Sequence, residues 1–214
     1  MNTTLPTTAN DTVFIVDDDE AVRDSLSWLL EANGYRVRAF ASAEAFLATA
    51  LPELLSYPVA CLILDVRMDG MSGLELQDRL LAEGIVVPTV FITGHGDVPM
   101  AVNTMKKGAI DFIQKPFDEA MLRELVERML AKSRADVQAA QAAQAAQSLL
   151  SRLTAREQQV LERIVAGRLN KQIADDLNIS IKTVEAHRAN IMEKLNVNTV
   201  ADLLKLALSQ PQKS

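Results

Sequence analysis

The stretch "TVFIVDDDEAVRDSL", residues 12–26, sets an apolar run, Val13–Val16, directly against Asp17, Asp18, Asp19 and Glu20. Like charges this close repel, and a carboxylate that leaves water unpaired costs free energy. A chain that places them at the mouth of a buried strand must set positive charge opposite them. After them, Glu20–Asn33 carries Val22, Leu26, Leu29 and Leu30 at helical spacing and stops at Gly34, so the stretch reads as a strand, an acidic turn and an amphipathic helix.

Four more short apolar runs follow: Tyr35–Phe40, Val59–Leu64, Pro88–Ile92 and Ile110–Ile113. The two central ones are almost wholly apolar, as strands covered on both faces are. Helical patterns separate them. One spans Ser42–Ala50, with Ser42 as cap and Glu44 in the first turn. Others span Gly73–Glu83 and Val98–Lys107, and a fifth opens at Asp118 with Leu122, Leu125, Val126 and Met129 on one face. Repeated strand and helix predict an α/β domain, a doubly wound parallel sheet of the flavodoxin-like (βα)5 kind with strand order 2-1-3-4-5, over residues 12–130. Residues 1–11 read as a disordered tail without the basic and apolar regions of a signal peptide.

The Ala/Gln-rich run "RADVQAAQAAQAAQSLL", residues 134–150, falls within a linker assigned to 131–150. Ala and Gln favour helix, so the linker reads as a continuation of the fifth helix, with a flexible tether as the alternative. Glutamines at every third position leave no fixed apolar seam, which argues against a coiled coil. Residues 151–208 read as four helices without a strand. Thr154 and Glu157 form a capping box, Gly167 closes the first helix, and Ser180 caps the third. Short helix, tight turn and longer helix make a second, all-α helix-turn-helix domain.

Composition bounds the rest. The chain has 214 residues and a net charge of −6, but residues 1–147 carry −9 and residues 148–214 carry +3. The tail can approach nucleic acid and the front should avoid it. No apolar run reaches the roughly 20 residues of a membrane span, so no membrane partner is expected and the reading is cytoplasmic. The single cysteine, Cys61, lies in an apolar run and reads as a buried, inert thiol.

In open parallel sheets, ligands bind beyond the carboxyl ends of the strands. Those ends carry Asp17 and Asp18, then Asp65 in "CLILDVRM", Thr93 in "TVFITGHGD" and Lys115 in "DFIQKPF". Carboxylates, a hydroxyl and an ammonium suit a hard divalent cation with oxygen ligands, and a carboxylate beside two cations can attack phosphorus.

Residues 12–130 resemble the receiver domain of two-component response regulators, with the acidic pair, the central Asp, the Thr and the Lys-Pro in the family's order. The resemblance implies that Asp65 is the phosphoacceptor and that Asp18, Asp65 and the backbone carbonyl of Arg67 hold Mg2+ (or Mn2+). It also implies that Asp17 assists through water, that Thr93 and Lys115 contact the phosphoryl oxygens, and that Phe112 is the aromatic switch. One departure is Asp69, where the family usually has proline; it loosens the loop and adds a carboxylate near the site, or simply faces solvent. His95 lies near the site, and a lone loop histidine is more often solvent-facing than a ligand.

The string "LTAREQQVLERIVAGRLNKQIADDLNISIKTVEAHRANIMEKLNV" resembles the LuxR-type helix-turn-helix. With Val184 inward at about 100° per residue, Ile191 and Leu195 share its side, with His187 and Arg188 flanking. Lys182, Thr183, Glu185, Ala186 and Ala189 are expected at the DNA, and Lys171, Lys182, Arg188 and Lys194 at phosphates. Glu185 can accept from a cytosine amino group or face solvent, and His187 is packed or reads a base. Together the two parts look like a transcription regulator of the NarL/FixJ class. The expected partners are a sensor histidine kinase, double-stranded promoter DNA, a second copy of the chain when phosphorylated, and RNA polymerase. A phosphatase would need an aspartate two residues after the nucleophile, where Arg67 stands, so the chain is not expected to be an enzyme. An RNA-binding output is disfavoured because residues 148–214 contain no Phe, Tyr or Trp to stack on bases.

Overall fold

The computed structural model describes residues 11–54, 59–94, 105–106 and 108–208. His95 and nearly all of the helix expected over residues 98–107 lie outside the described residues. The chain divides into two compact units, residues 1–137 and 138–214.

In the first unit, strands β1 (Thr12–Val16), β2 (Arg36–Phe40), β3 (Ala60–Asp65), β4 (Thr89–Thr93) and β5 (Asp111–Gln114) form one sheet of order β2-β1-β3-β4-β5, every neighbouring pair parallel. This is the doubly wound order expected from the sequence. Alternate residues of the central strands explain it. Val13, Ile15, Ile63 and Ile92 face a core with Leu26 and Leu30 of α1 (Glu20–Ala32) and Leu122 and Val126 of α5 (Glu119–Leu150). Phe14, Val16, Leu62 and Leu64 face the other way, onto Phe46 and onto Leu76 and Leu80 of α4 (Gly73–Ala82). A strand with both faces covered has no polar positions to give, which is why those runs lack alternation. Cys61 is fully buried, and burial pushes its thiol well above the usual range, as expected of an inert side chain.

Three expectations need adjustment. The helix expected over Ser42–Ala50 is instead α2 (Ala43–Ala45), a π turn (Phe46–Ala50) and α3 (Leu51–Leu54). Pro52 has no backbone N–H to donate, and the wide turn just before it ends with the Leu51 N–H donating to the Phe46 carbonyl. Asp11, assigned to the tail, is 1% exposed and ion-paired with Arg134. Its carbonyl also accepts from Arg36. Ser133 and Arg134, assigned to the linker, belong to the first unit: the Ser133 hydroxyl accepts from the N–H of Ala60, the first residue of β3, at 3.1 Å. The Ala/Gln segment itself is helical, as the last part of α5.

In the second unit, α6 (Ala155–Val165), α7 (Asn170–Leu177), α8 (Ile181–Leu195) and α9 (Val200–Leu208) enclose a core of Val160, Ile164, Ile173, Val184, Ile191 and Leu203. The α7–α8 turn is tight because Asn178 adopts a left-handed conformation, φ 52°. Asparagine tolerates that conformation better than most residues. Ser180 then accepts from the Thr183 N–H at 3.1 Å and opens α8.

Candidate functional site

β1, β3 and β5 end on the same edge of the sheet, and the residues at or just past their ends converge. Single oxygens of Asp17, Asp18 and Asp65 lie within 4.8 Å of one another. Lys115, just past β5, puts its Nζ 2.7 Å from Asp17 Oδ2 and 3.2 Å from Asp65 Oδ1. The ammonium opposite the aspartates is therefore real, and it bridges two carboxylates that are 2% and 6% exposed as residues. Asp18 is exposed, so the pocket has a wet mouth.

The loops hold these groups by backbone donors. Asp17 Oδ1 accepts from the Asp19 N–H at 3.0 Å, and Asp65 Oδ2 from the Arg67 N–H at 3.1 Å. Arg23 donates one Nη1 to the carbonyls of Asp17 and Asp18, at 2.8 and 2.9 Å, fixing the acidic turn. Sequence reading missed Arg23; its only signal was its place one helical turn into α1. Thr93 is buried at the end of β4, one residue past the partner of Asp65, and its carbonyl accepts from the Lys115 N–H at 2.7 Å. Phe112 sits on β5, half-buried against the Phe14 side of the sheet. Asp69 is exposed, and its N–H lies 3.4 Å from Asp18 Oδ2.

Burial pushes the Asp65 carboxyl above the usual carboxylate range; Lys115 opposes that and Asp17 adds to it. Burial would lower the Lys115 ammonium, but the hydrogen bond it donates to Asp17 and the two carboxylate charges outweigh it and raise it. Both directions follow from one fact: a half-enclosed cluster with more negative than positive groups holds protons tightly. A divalent cation fits such a set. The donors are all hard oxygens, one flank is open for waters, and the charge excess is negative.

In the second unit, α8 buries Val184, Ile191 and Leu195 and leaves Lys182, Thr183, Glu185, Ala186 and Ala189 exposed, with His187 and Arg188 between. That is the face expected from the sequence. Lys171 is exposed on α7. Two of the side chains expected at the DNA are occupied within the protein. The Thr183 hydroxyl is 2.8 Å from the Ser180 hydroxyl, inside the helix cap. Lys194 Nζ donates to Glu157 Oε2 at 2.7 Å, and Glu157 is 3% exposed. The basic side chain that looked available for phosphate is held by a buried carboxylate on α6.

Glu157 also completes the capping box with Thr154, while Arg156 donates to the Leu177 carbonyl at 2.6 Å and closes the end of α7. Consecutive residues of α6 therefore brace both helices of the helix-turn-helix, a role sequence reading did not find. The Lys194 ammonium, with the Thr154 amide, holds the Glu157 carboxyl below the usual range. A depressed folded-state value stabilises above the unfolded pKa, near 4.3, and that stability is lost as pH falls through the folded value. Glu157→Gln is expected to cost about 1–2 kcal/mol at pH 7, discounted because Lys194 is partly solvent-screened. Its cost should shrink toward pH 3. Urea titrations followed by circular dichroism at both pH values check this.

Comparison with known proteins fits the geometry. Residues 13–127 match the response regulator receiver domain, and residues 151–207 match the bacterial regulatory proteins of the luxR family. It belongs to the response regulators of the NarL/FixJ class. The chain is 48% identical over 201 residues to the transcriptional regulatory protein FixJ of Rhizobium meliloti (strain 1021), covering 92% of this chain and 95% of that one. It is 44% identical over 194 residues to the response regulator protein TmoT of Ectopseudomonas mendocina, covering 91% and 86%. Among solved structures, the response regulator StyR aligns with TM-score 0.78 at 47% identity, covering 93% and 98%. Full-length FixJ from B. japonicum aligns with TM-score 0.55 at 39% identity, covering 92% and 96%. This response regulator thus joins a receiver to a LuxR-type DNA-binding domain and works in two-component transcription regulation. Among its described residues, no helix is long and apolar enough to cross a membrane.

Proposed function

We propose that the chain is a phosphorylation-controlled transcription factor in which Asp65 accepts a phosphoryl group from a sensor histidine kinase. The observation that carries this is the acidic pocket with Lys115 bridging Asp17 and Asp65. A carboxylate oxygen of Asp65 attacks phosphorus, the O–P bond forms, the P–N bond of the donor's phosphohistidine breaks, and the electron pair stays on the imidazole. Asp18, Asp65 and the Arg67 carbonyl would hold Mg2+ (or Mn2+), with Asp17 reaching it through water. The ion's chemistry there is neutralisation of phosphoryl charge. Lys115 neutralises a second phosphoryl oxygen. Its partner Asp65 becomes an acyl phosphate, a mixed anhydride, so Lys115 is redistributed between Asp17 and the new group. Thr93, at the end of the neighbouring strand, gives a hydroxyl to the phosphoryl group, and Phe112 on β5 changes its packing in response. The chain is an acceptor rather than a phosphatase, because Arg67 occupies the general-acid position.

In the second unit, the exposed face of α8 enters the major groove of promoter DNA. Lys171, Lys182 and Arg188 contact phosphates, and the small Ala186 and Ala189 permit close approach. Two copies bind as a phosphorylation-induced dimer and engage RNA polymerase in the cytoplasm.

The test is duplex binding by the full chain, using DNA selected from a randomised pool, with and without acetyl phosphate and Mg2+. Binding should strengthen on phosphorylation; identical isotherms in all four conditions would reject the reading. Lys182→Ala and Arg188→Ala should each weaken binding and reduce the slope of log K against log salt by about one unit, because each removes one ion pair with a DNA phosphate. Unchanged slopes in both variants would exclude this face of α8.

A further inference from the structure

We infer that Glu44 is a positioning residue for the pocket: from α2 it straps the loop after β3 and keeps the Arg67 carbonyl in place for a divalent cation. The inference rests on the pocket being a metal and phosphoryl site. Residues 66–72 form the loop that carries that carbonyl. Backbone donors tie it to side chains at four points, and the Val66 N–H also donates to the Ile92 carbonyl of β4 at 3.2 Å. Arg67 donates to Asp65 at 3.1 Å, Asp69 to Asp18 at 3.4 Å, Met71 to Glu44 Oε1 at 2.9 Å, and Ser72 to Glu75 at 2.9 Å.

The four ties are not equivalent. Asp65 and Asp18 are themselves the proposed cation ligands, so their lone pairs are shared between the loop and any bound ion. Glu75 sits within α4 and closes its own capping box with Ser72. Of the four side-chain acceptors, Glu44 alone reaches the loop from an element outside both the pocket and the loop's own helix. Ion binding does not compete with the strap, and unlike the Ser72–Glu75 tie it holds the loop from outside the loop's own helix.

The local geometry is built for it. Ser42 accepts from the Ala45 N–H at 3.1 Å and fixes the first turn of α2. Glu44's own amide first, then the Met71 amide, holds the Glu44 carboxyl below the usual range, so it is an acceptor at neutral pH. On the loop side, Gly70 has φ +79°, and a Cβ there would lie 2.8 Å from Glu44 Oε1. The glycine thus serves twice: it allows the left-handed backbone that turns the Met71 N–H toward α2, and it leaves room for the carboxylate.

The test uses the unphosphorylated full chain, with Mg2+ titrated by calorimetry and amide exchange measured by mass spectrometry. Glu44→Ala is expected to weaken Mg2+ about tenfold, the lower range for losing an outer partner of a metal site. Exchange should quicken in residues 66–72, while the β1 and β3 core stays protected, which shows the fold intact. Glu44→Gln keeps an acceptor oxygen and should stay within about twofold of the parent in Mg2+ affinity. Equal Mg2+ affinity in Glu44→Ala and the parent overturns the strap and leaves the pocket standing. Equal losses in both variants also overturn it, because charge near the pocket, rather than the hydrogen bond, would then be responsible. A parent chain that binds no Mg2+ removes the pocket reading itself.

Discussion

Asp65→Asn is expected to take up no phosphoryl group from acetyl phosphate under conditions where the parent gains the mass of one. The amide oxygen is too weak a nucleophile, and no other carboxylate replaces it. Asp17 is held by Lys115 and the Asp19 amide, and Asp18 stands at the open mouth rather than at the end of β3. The substitution is nearly isosteric, so the fold should remain. Stability should even rise slightly, because a negative charge leaves a cluster where burial and Asp17 already disfavour it. Loss of labelling with an unchanged or higher melting temperature separates a lost nucleophile from a damaged fold. Labelling at the parental level would move the acceptor elsewhere, with Asp69 the first residue to examine. If Asp65 is the acceptor, DNA binding by this variant should become insensitive to acetyl phosphate, because the substitution leaves the second unit unchanged.

Much of this architecture was legible because burial writes itself into short sequence patterns. Val13–Val16 and Leu62–Leu64 are apolar without alternation, so both their faces are covered, and the parallel sheet follows. The strand limits moved by one residue at most. Pro88, expected inside β4, lies outside it, yet its carbonyl still accepts from the Leu62 N–H at 2.9 Å. The pocket was legible too, because the topology brings strand ends to one edge whatever the loops do. Polar pairs between distant segments were not. Glu44 meets Met71 across 27 residues and Lys194 meets Glu157 across 37. Neither spacing has a period: Glu44 and Lys194 alone look like ordinary exposed charges, the Met71 partner is a backbone N–H, and Glu157 reads only as a capping-box residue. The π turn at Phe46–Ala50 was hidden for a different reason: its side chains keep a helical pattern while only the backbone ladder changes.

Gly73→Ala is expected to damage both the fold and the pocket, far beyond the small effect usual for glycine to alanine in a helix. Gly73 is the first residue of α4, and its N–H donates to the Val66 carbonyl at 3.1 Å. A Cβ there would lie 2.1 Å from the Asp65 carbonyl oxygen, 3.1 Å from its carbon and 2.9 Å from Leu64 Cγ. The nearest of these atoms is backbone, so no rotamer change relieves the clash. Either α4 retreats, which opens the core around Leu76 and Leu80, or the Asp65 peptide shifts and carries its carboxylate with it. Overpacking a core typically costs about 1–3 kcal/mol, and a backbone clash this close belongs at or above the top of that range. Gly84→Ala is the control. Gly84 has φ +74° and nothing within 4 Å of its added Cβ, so alanine there meets only left-handed strain of about 1–2 kcal/mol, away from the pocket. Gly73→Ala should therefore lose more stability than Gly84→Ala, and should lose phosphoryl uptake even at temperatures where it remains folded. Gly84→Ala should label normally. Equal stability of the two variants with normal labelling in both would mean that α4 does not press on the end of β3, and the placement of Asp65 would have to be rebuilt from a different helix.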